Sequence, residues 1–169
     1  MVFTISSVST PHLFDPDAVF VSNQTNQNDV FKEVYTDLLT IGAVKEAFLP
    51  HLVEREANYP TGIDTSPISD RLPNVAIPHT EGEFVKTRLI VPVALKTPVV
   101  FHNMIDPNQE LQVKFLFMIL NNDPEGQANL LAQIMDFLAQ TPVADLEKLF
   151  NFSDPADIYQ FLAERFKQK

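Results

Sequence analysis

The pattern of apolar and polar positions predicts helices in the first third of the chain, after one short strand at Ala18–Val21. Apolar residues recur at helical spacing over Asp29–Leu39 and again over Val44–Ala57, which predicts a helix in each segment. The run Asn23–Asn26 supplies capping side chains ahead of the first helix, and Gly42 closes it. The chain is therefore expected to open with a strand and two consecutive helices.

The middle of the chain has the pattern of a sheet. Leu72–Ile77 is apolar, and Thr87–Leu95 and Gln112–Leu120 are rich in residues that favour strands. The last segment contains the sequence VKFLFMIL, which is apolar enough for a central strand that is covered on both faces.

Three more helices are predicted after the strands. At three places a side chain that can cap a helix stands directly before a proline, and proline is favoured at the first helical position. These pairs are Asp123-Pro124, Thr141-Pro142 and Asp154-Pro155, and they predict helices over residues 124–139, 142–150 and 155–167. Together the patterns predict an α/β fold in which a mixed sheet of four or five strands is flanked by helices.

The length of 169 residues is that of one domain, since typical domains have roughly 100–200 residues. Residues 1–17 include several serines, threonines and prolines and are predicted to form a loosely ordered lead-in. No repeat or low-complexity tract divides the remainder. A single domain is therefore predicted over residues 18–169.

Charge and composition exclude several classes of function. The chain has 12 Lys and Arg against 22 Asp and Glu, a net charge of −10, which argues against nucleic-acid binding because phosphates are held by basic surfaces. It has no cysteine, which excludes disulfides, thiolate metal sites and cysteine nucleophiles. Its four glycines are isolated from one another, so neither a dinucleotide-binding turn nor a Walker loop can form.

The sequence also carries no signal for membrane insertion. The apolar stretches Leu89–Leu95 and Phe115–Leu120 are far shorter than the ~20 residues that span a bilayer. The N-terminus lacks the basic and long apolar regions of a secretory signal. We therefore expect a soluble protein of the cytosol.

Histidine is the remaining candidate for chemistry, and the chain has four, at His12, His51, His79 and His102. They are far apart in the sequence, so no metal site is predicted from them. His79 differs from the others because it follows an apolar strand end and Pro78, at the edge where sheets present ligands. A neutral imidazole there suits general-base, metal-ligand or nucleophilic work, and the spacing does not choose among them.

Two runs of residues around this histidine resemble a known family. Asn74–Thr80, which reads NVAIPHT, follows Arg55–Ile63, which reads REANYPTGI. Together they resemble the enzyme IIA domain of the fructose–mannitol class of the bacterial phosphoenolpyruvate-dependent sugar phosphotransferase system. Within that class the chain is most similar to the galactitol-type subunits, and the resemblance covers roughly residues 18–167.

The resemblance implies a role for two of these residues. His79 matches the histidine that accepts a phosphoryl group from the phosphocarrier protein HPr, forms a tele-phosphohistidine, and passes the group to a cysteine of the cognate IIB subunit. Arg55 matches an arginine near the phosphoryl group, where its forked donors suit phosphoryl oxygens. The membrane IIC subunit, which holds the sugar, is implied only as an indirect partner. No cofactor and no metal are implied.

Two further residues are candidates around the phosphoryl group. Many members of the class have a second histidine early in the helix after the central strand, and in this chain Gln127 occupies its position. Its amide can still donate a hydrogen bond but cannot take a proton at neutral pH. Thr80 could donate through its hydroxyl or its backbone N–H. The alternatives are a solvated glutamine, a solvated loop threonine, and an ion pair of Arg55 with Glu54 or Glu56.

These inferences lead to an expected function and to two alternatives. We expect a IIA subunit that takes part in uptake of a carbohydrate, galactitol or a related polyol or pentitol. The first alternative is a regulatory IIA-like protein, whose phosphohistidine signals sugar or nitrogen status without transport. The second is a binding domain that retains the fold and has lost phosphoryl transfer.

Overall fold

A computed structural model of the chain describes residues 12–123 and 127–166, with the backbone alone described at residues 127 and 128. Five strands form one sheet, namely β1 (Phe20–Ser22), β2 (Gly62–Ile63), β3 (Asn74–Ala76), β4 (Arg88–His102) and β5 (Glu110–Asn121). The five helices of the described residues are α1 (Gln27–Thr40), α2 (Phe48–Asn58), α3 (Gln127–Gln140), α4 (Val143–Phe150) and α5 (Pro155–Arg165).

The sheet is mixed, with strand order β1-β4-β5-β3-β2. Strands β4 and β5 form a long antiparallel pair at its centre. On either side of this pair, β1 runs parallel to β4 and β3 runs parallel to β5, while β2 is antiparallel to β3. The predicted α/β fold with a mixed sheet of four or five strands is confirmed, with five strands.

Helices cover both faces of the sheet, so the molecule has three layers. Alternate side chains of β5 face opposite layers, as the two-residue repeat of a strand requires. Leu116 and Met118 pack with α1 and α2, whereas Phe115 and Phe117 pack with α3, α4 and α5. The prediction that this segment is a central strand covered on both faces is therefore confirmed.

The second helix begins later than the sequence pattern predicts, at Phe48 and not at Val44. Val44 bridges Val85 in antiparallel fashion, and the N–H of Lys86 donates to the carbonyl oxygen of Ala43 at 2.9 Å. Residues that pair with an extended segment cannot at the same time take helical backbone angles. The pairing fixes the segment that follows His79 against the start of α2.

Strand β4 is longer than the predicted Thr87–Leu95, because it continues to His102. The register shifts between Ala94 and Val99, and this irregularity accommodates Pro98, which has no N–H to give to the ladder. The two-residue strand β2 was not predicted, because a run this short carries no periodic signal.

The capping predictions have mixed outcomes. Asp154 caps α5 by accepting a hydrogen bond from the N–H of Ala156 at 2.9 Å, with a proline at the first helical position, as predicted. Pro142 is itself the residue before α4, and no side chain caps that helix, so the prediction for Thr141-Pro142 is wrong. The predicted start at Asp123-Pro124 lies partly outside the described residues. Gly42 ends α1 with a φ of 77°, a conformation that favours glycine.

The packed domain begins earlier than the predicted boundary at residue 18. Residues 1–11 lie outside the described residues, but Leu13 and Phe14 are buried in the layer of α3 to α5. The carbonyl oxygen of Leu13 accepts a hydrogen bond from the N–H of Ile90 at 2.7 Å, and the ring of Phe14 lies 5.2 Å from that of Phe166. These two apolar side chains belong to the core and not to a loose lead-in.

Candidate active site

His79 lies just beyond the carboxyl end of β3, beside the last residues of the neighbouring strand β5. Pro78 ends the β3 ladder, but its carbonyl oxygen still accepts a hydrogen bond from the N–H of Ile119 at 3.0 Å. His79 itself forms an isolated parallel bridge with Ile119. The histidine is therefore held at the sheet edge from which β5 leads toward α3.

The imidazole of His79 is held in one tautomer. Its Nδ1 lies 2.9 Å from the carbonyl oxygen of Ile77. Because a carbonyl oxygen only accepts, Nδ1 carries the proton and Nε2 keeps its lone pair in the neutral ring. Burial lowers the pKa of His79, and Arg55 lowers it further, against the opposing influence of the Ile77 carbonyl and Glu81. Both effects favour the neutral ring, in which Nε2 keeps its lone pair.

The segment that follows His79 is fastened on two sides. Gly82 lies against the end of β5, where a Cβ atom would come within 2.7 Å of the Asn121 carbonyl oxygen. On the other side, the N–H of Lys45 donates to the carbonyl oxygen of Phe84 at 3.0 Å. This segment therefore crosses from the sheet edge to the region of α2, and it carries Glu81 toward that helix.

Arg55, in the last turn of α2, forms an ion pair with Glu81. The sequence offered Glu54 or Glu56 as ion-pair partners for this arginine, and neither is its partner in the structure. The guanidinium carbon also lies 5.4 Å from the centre of the Tyr59 ring, which is a cation–π contact.

One donor of Arg55 is unused. Its Nε is buried and has no hydrogen-bond partner within the part of the chain that the structure describes. A buried N–H without an acceptor is costly, and an anion that arrives beside it would satisfy it. Arg55 and His79 interact electrostatically, since the guanidinium lowers the pKa of the imidazole.

Thr80 and Gln127 are the two other candidate residues of the site. Thr80 is buried, and its hydroxyl donates to the Glu81 carbonyl oxygen at 2.9 Å. The Thr80 hydroxyl is therefore already used within its own segment. Gln127 is the first residue of α3, in the first turn as expected, and its side chain lies outside the described residues.

A buried carboxylate, which the sequence analysis did not single out, supports the site from behind. Glu56 accepts two hydrogen bonds from Thr61, one from the N–H and one from the hydroxyl, both at 2.7 Å. The carbonyl oxygen of Thr61 accepts the N–H of Ile77 at 3.2 Å, and the Ile77 carbonyl in turn holds His79. Glu56 is therefore the first member of a hydrogen-bonded series that ends at the imidazole.

Glu56 also makes the stability of the fold depend on pH. Burial raises the pKa of Glu56 from 4.5 to about 7, against the opposing influence of Thr61, Arg55 and His102. Because the folded-state pKa is above the unfolded one, Glu56 contributes stability below pH 4.5 that is lost as the pH rises through 7. We predict that Glu56→Gln, which cannot ionise, escapes this loss.

The measurement is urea unfolding of both proteins from pH 4 to pH 8. The free energy of unfolding of Glu56→Gln minus that of the wild type should increase as the pH rises, by up to about 3 kcal/mol. This difference should become constant above about pH 7. Glu54→Gln is the matched control, because Glu54 is exposed on the same helix. Parallel curves for Glu56→Gln and the wild type would show that folding does not raise the pKa of the Glu56 carboxyl.

The other three histidines lie outside the hydrogen-bonded series from Glu56 to His79. His12 is exposed, and the Nδ1 of His102 bonds to the carbonyl oxygen of Pro107 at 2.8 Å. His51 stacks on Phe84 at 3.7 Å between ring centres. Over residues 12–123 and 127–166 no three His, Asp or Glu side chains gather as a metal site requires. Over the same residues, no helix is long and apolar enough to cross a membrane.

Comparison with known sequences defines the class of protein to which this fold belongs. The model of the family described as "Phosphoenolpyruvate-dependent sugar phosphotransferase system, EIIA 2" matches residues 12–165, which is nearly the whole chain. The chain belongs to this family. It is a phosphotransferase and a IIA component of the sugar phosphotransferase system.

Individual relatives agree with this assignment. The galactitol-specific EIIA component of Escherichia coli K12 is 25% identical over 120 residues, which are 71% of this chain and 76% of that protein. The enzyme IIA in the complex of mannitol IIA with phosphorylated mannitol IIB from Escherichia coli superposes with a TM-score of 0.68, at 15% identity, over 90% of this chain and 98% of that one. The nitrogen regulatory protein IIA-Ntr of Neisseria meningitidis has a TM-score of 0.61, at 16% identity, over 89% and 96%. The two structures show a shared fold.

Proposed function

We propose that this chain accepts a phosphoryl group on Nε2 of His79 from phosphorylated HPr and passes it to a cysteine of a cognate IIB subunit. The pathway it serves is uptake of galactitol or a related polyol. The observation that carries the proposal is the hydrogen bond from Nδ1 of His79 to the Ile77 carbonyl oxygen at 2.9 Å, which leaves Nε2 with a lone pair. Nε2 is the nitrogen that forms a tele-phosphohistidine.

Both transfer steps balance without a cofactor. In the first, the lone pair of Nε2 attacks phosphorus, the bond from phosphorus to the HPr histidine breaks, and its electron pair stays on that nitrogen. The proton on Nδ1 remains there, and the Ile77 carbonyl stabilises the positive charge that the phosphorylated ring then shares. In the second step a cysteine thiolate of IIB attacks phosphorus, and the electron pair of the broken bond returns to Nε2.

The surrounding groups suit the charge that moves. Phosphoryl transfer requires mainly alignment and donors around the equatorial oxygens. Arg55 has a buried Nε without a partner and lies close enough to His79 to lower its pKa. Gln127 at the start of α3 is a further candidate donor. The site therefore offers cationic and neutral donors beside the nucleophile.

The relatives support the partner and the substrate class. The related galactitol-specific protein favours a galactitol or polyol system. The mannitol IIA with the same fold is described in a complex with phosphorylated IIB, which favours IIB as the acceptor. The nitrogen regulatory relative shares only the fold, so it gives the regulatory alternative no support beyond that likeness.

The test is a reconstituted phosphoryl relay. The chain is incubated with phosphoenolpyruvate, enzyme I and HPr, and intact mass should show one added phosphoryl group, which is absent when HPr is left out. Addition of purified galactitol-type IIB should then discharge the group to the IIB cysteine. A chain that is never labelled would contradict phosphoryl transfer altogether. A labelled chain that no polyol-type IIB discharges would instead favour the regulatory alternative.

A further inference from the structure

Glu81 is a charged neighbour of the site that the proposed mechanism does not use. It stands two residues after His79, and its side chain is about half exposed, at 48%. Its carboxylate forms the ion pair with Arg55, and its charge acts on the His79 ring in the direction opposite to that of Arg55. Imidazole, guanidinium and carboxylate therefore form one electrostatic cluster.

We propose that Glu81 sets the phosphoryl-transfer equilibrium of this chain by competing with the phosphoryl group for Arg55. The inference rests on the proposed function, in which His79 carries the phosphoryl group. Before transfer, Glu81 engages Nη1 of Arg55. After transfer, a group with a charge of about −1.5 to −2 lies beside the same guanidinium. Arg55 then has two anionic partners, Glu81 and the phosphoryl group. Its ion pair with Glu81 weakens when it binds the phosphoryl group, so the phosphorylated state is stabilised less than it would be by an arginine without a partner.

The competition favours onward transfer. A phosphohistidine that was stabilised strongly by a free arginine would hold its phosphoryl group and transfer it slowly. With Glu81 present, the arginine is positioned before the phosphoryl group arrives, and the carboxylate regains its partner when the group departs. The chain thus keeps the donors that speed transfer while the phosphorylated state stays close in free energy to the unphosphorylated one.

A different role for Glu81 predicts the opposite result. If Glu81 only oriented Arg55 toward the phosphoryl group, its removal would weaken phosphorylation, as removal of Arg55 would. If Glu81 competes for Arg55, its removal strengthens phosphorylation. The sign of the change therefore separates the two roles.

The experiment measures the equilibrium constant for phosphoryl exchange between HPr and the chain, by intact mass at fixed ratios of HPr to phosphorylated HPr. For Glu81→Gln we expect the constant to shift toward the phosphorylated chain by about fivefold, with slower discharge to IIB. Glu83→Gln is the matched control, because Glu83 is exposed two residues away and has no ion pair within the described residues. It should change the constant by less than about twofold.

Two further measurements make the inference falsifiable on its own. In an Arg55→Ala background, the gain from Glu81→Gln should largely disappear, and a gain of full size there would overturn the competition. The pKa of unphosphorylated His79, followed by NMR, should fall in Glu81→Gln because a negative charge is removed. An unchanged or lower equilibrium constant on a chain still labelled at His79 would refute only this inference. A chain that is not labelled at His79 would refute the proposed function.

Discussion

Replacement of His79 by alanine is expected to abolish the phosphoryl labelling of this chain. The substitution removes the imidazole that follows β3, whose Nδ1 is bonded to the Ile77 carbonyl oxygen and whose Nε2 keeps a lone pair. Alanine offers no nucleophile, so the loss should be complete rather than partial. Intact mass after incubation with phosphoenolpyruvate, enzyme I and HPr gives the result directly, and circular dichroism confirms that the variant is folded.

The remaining histidines are the matched controls for this result. Alanine variants of His12, His51 and His102 should take up the phosphoryl group as the wild type does. His51 is the most informative of them, since it lies one turn before Arg55 on α2 and stacks on Phe84 beside the site. If His79→Ala still gained a full label, or if His51→Ala lost it, the acceptor would be another residue and the assigned geometry would be wrong.

The layered fold could be predicted because its elements follow apolar periodicity. Strand β5 is apolar at successive positions because both of its faces are covered, and that pattern is visible in the sequence alone. The late start of α2 could not be predicted in the same way. Val44 lies outside the helix because it bridges Val85, and the sequence gives no sign of a partner 41 residues away. Contacts of this kind override local periodicity.

The site could be predicted only where its residues lie in a local sequence pattern. His79 was visible because an apolar strand end, a proline and a histidine are adjacent in the sequence, and the family motif added Arg55. Glu81 and Glu56 were not singled out, because their importance depends on where their side chains point. Glu56 is next to Arg55 in the sequence yet faces inward to Thr61, whereas Arg55 reaches across to Glu81. Only the tertiary structure separates these two neighbours.

The backbone around the site explains why the partly buried His79 keeps one orientation. The Ile77 carbonyl oxygen accepts a hydrogen bond from the Nδ1–H of the imidazole. The N–H of Ile77 is meanwhile tied to Thr61, which Glu56 holds from the interior. An imidazole that is held in this way loses little entropy when a partner protein docks, which favours the transfer proposed above.

Arg55→Ala is expected to slow phosphoryl transfer from HPr by about 10²- to 10³-fold, the usual cost of losing one donor to a developing charge. Arg55→Lys should lose less, about tenfold, because an ammonium keeps the charge but not the forked donors or the buried Nε. Neither change should alter the free energy of unfolding by more than about 1 kcal/mol, since the pair with Glu81 is partly exposed.

The predicted rates fall from the wild type to Arg55→Lys to Arg55→Ala. Rapid-quench measurement of HPr-dependent labelling checks this order, and urea unfolding of each variant checks its stability. The order wild type, lysine, alanine follows from the structure because only arginine presents both Nη1 and a second buried donor from one rigid plane. Loss of rate without loss of stability would assign Arg55 to the transferring group. If Arg55→Ala were labelled at the wild-type rate, the arginine would serve only as the partner of Glu81, and the unpaired Nε would have no part in the chemistry of His79.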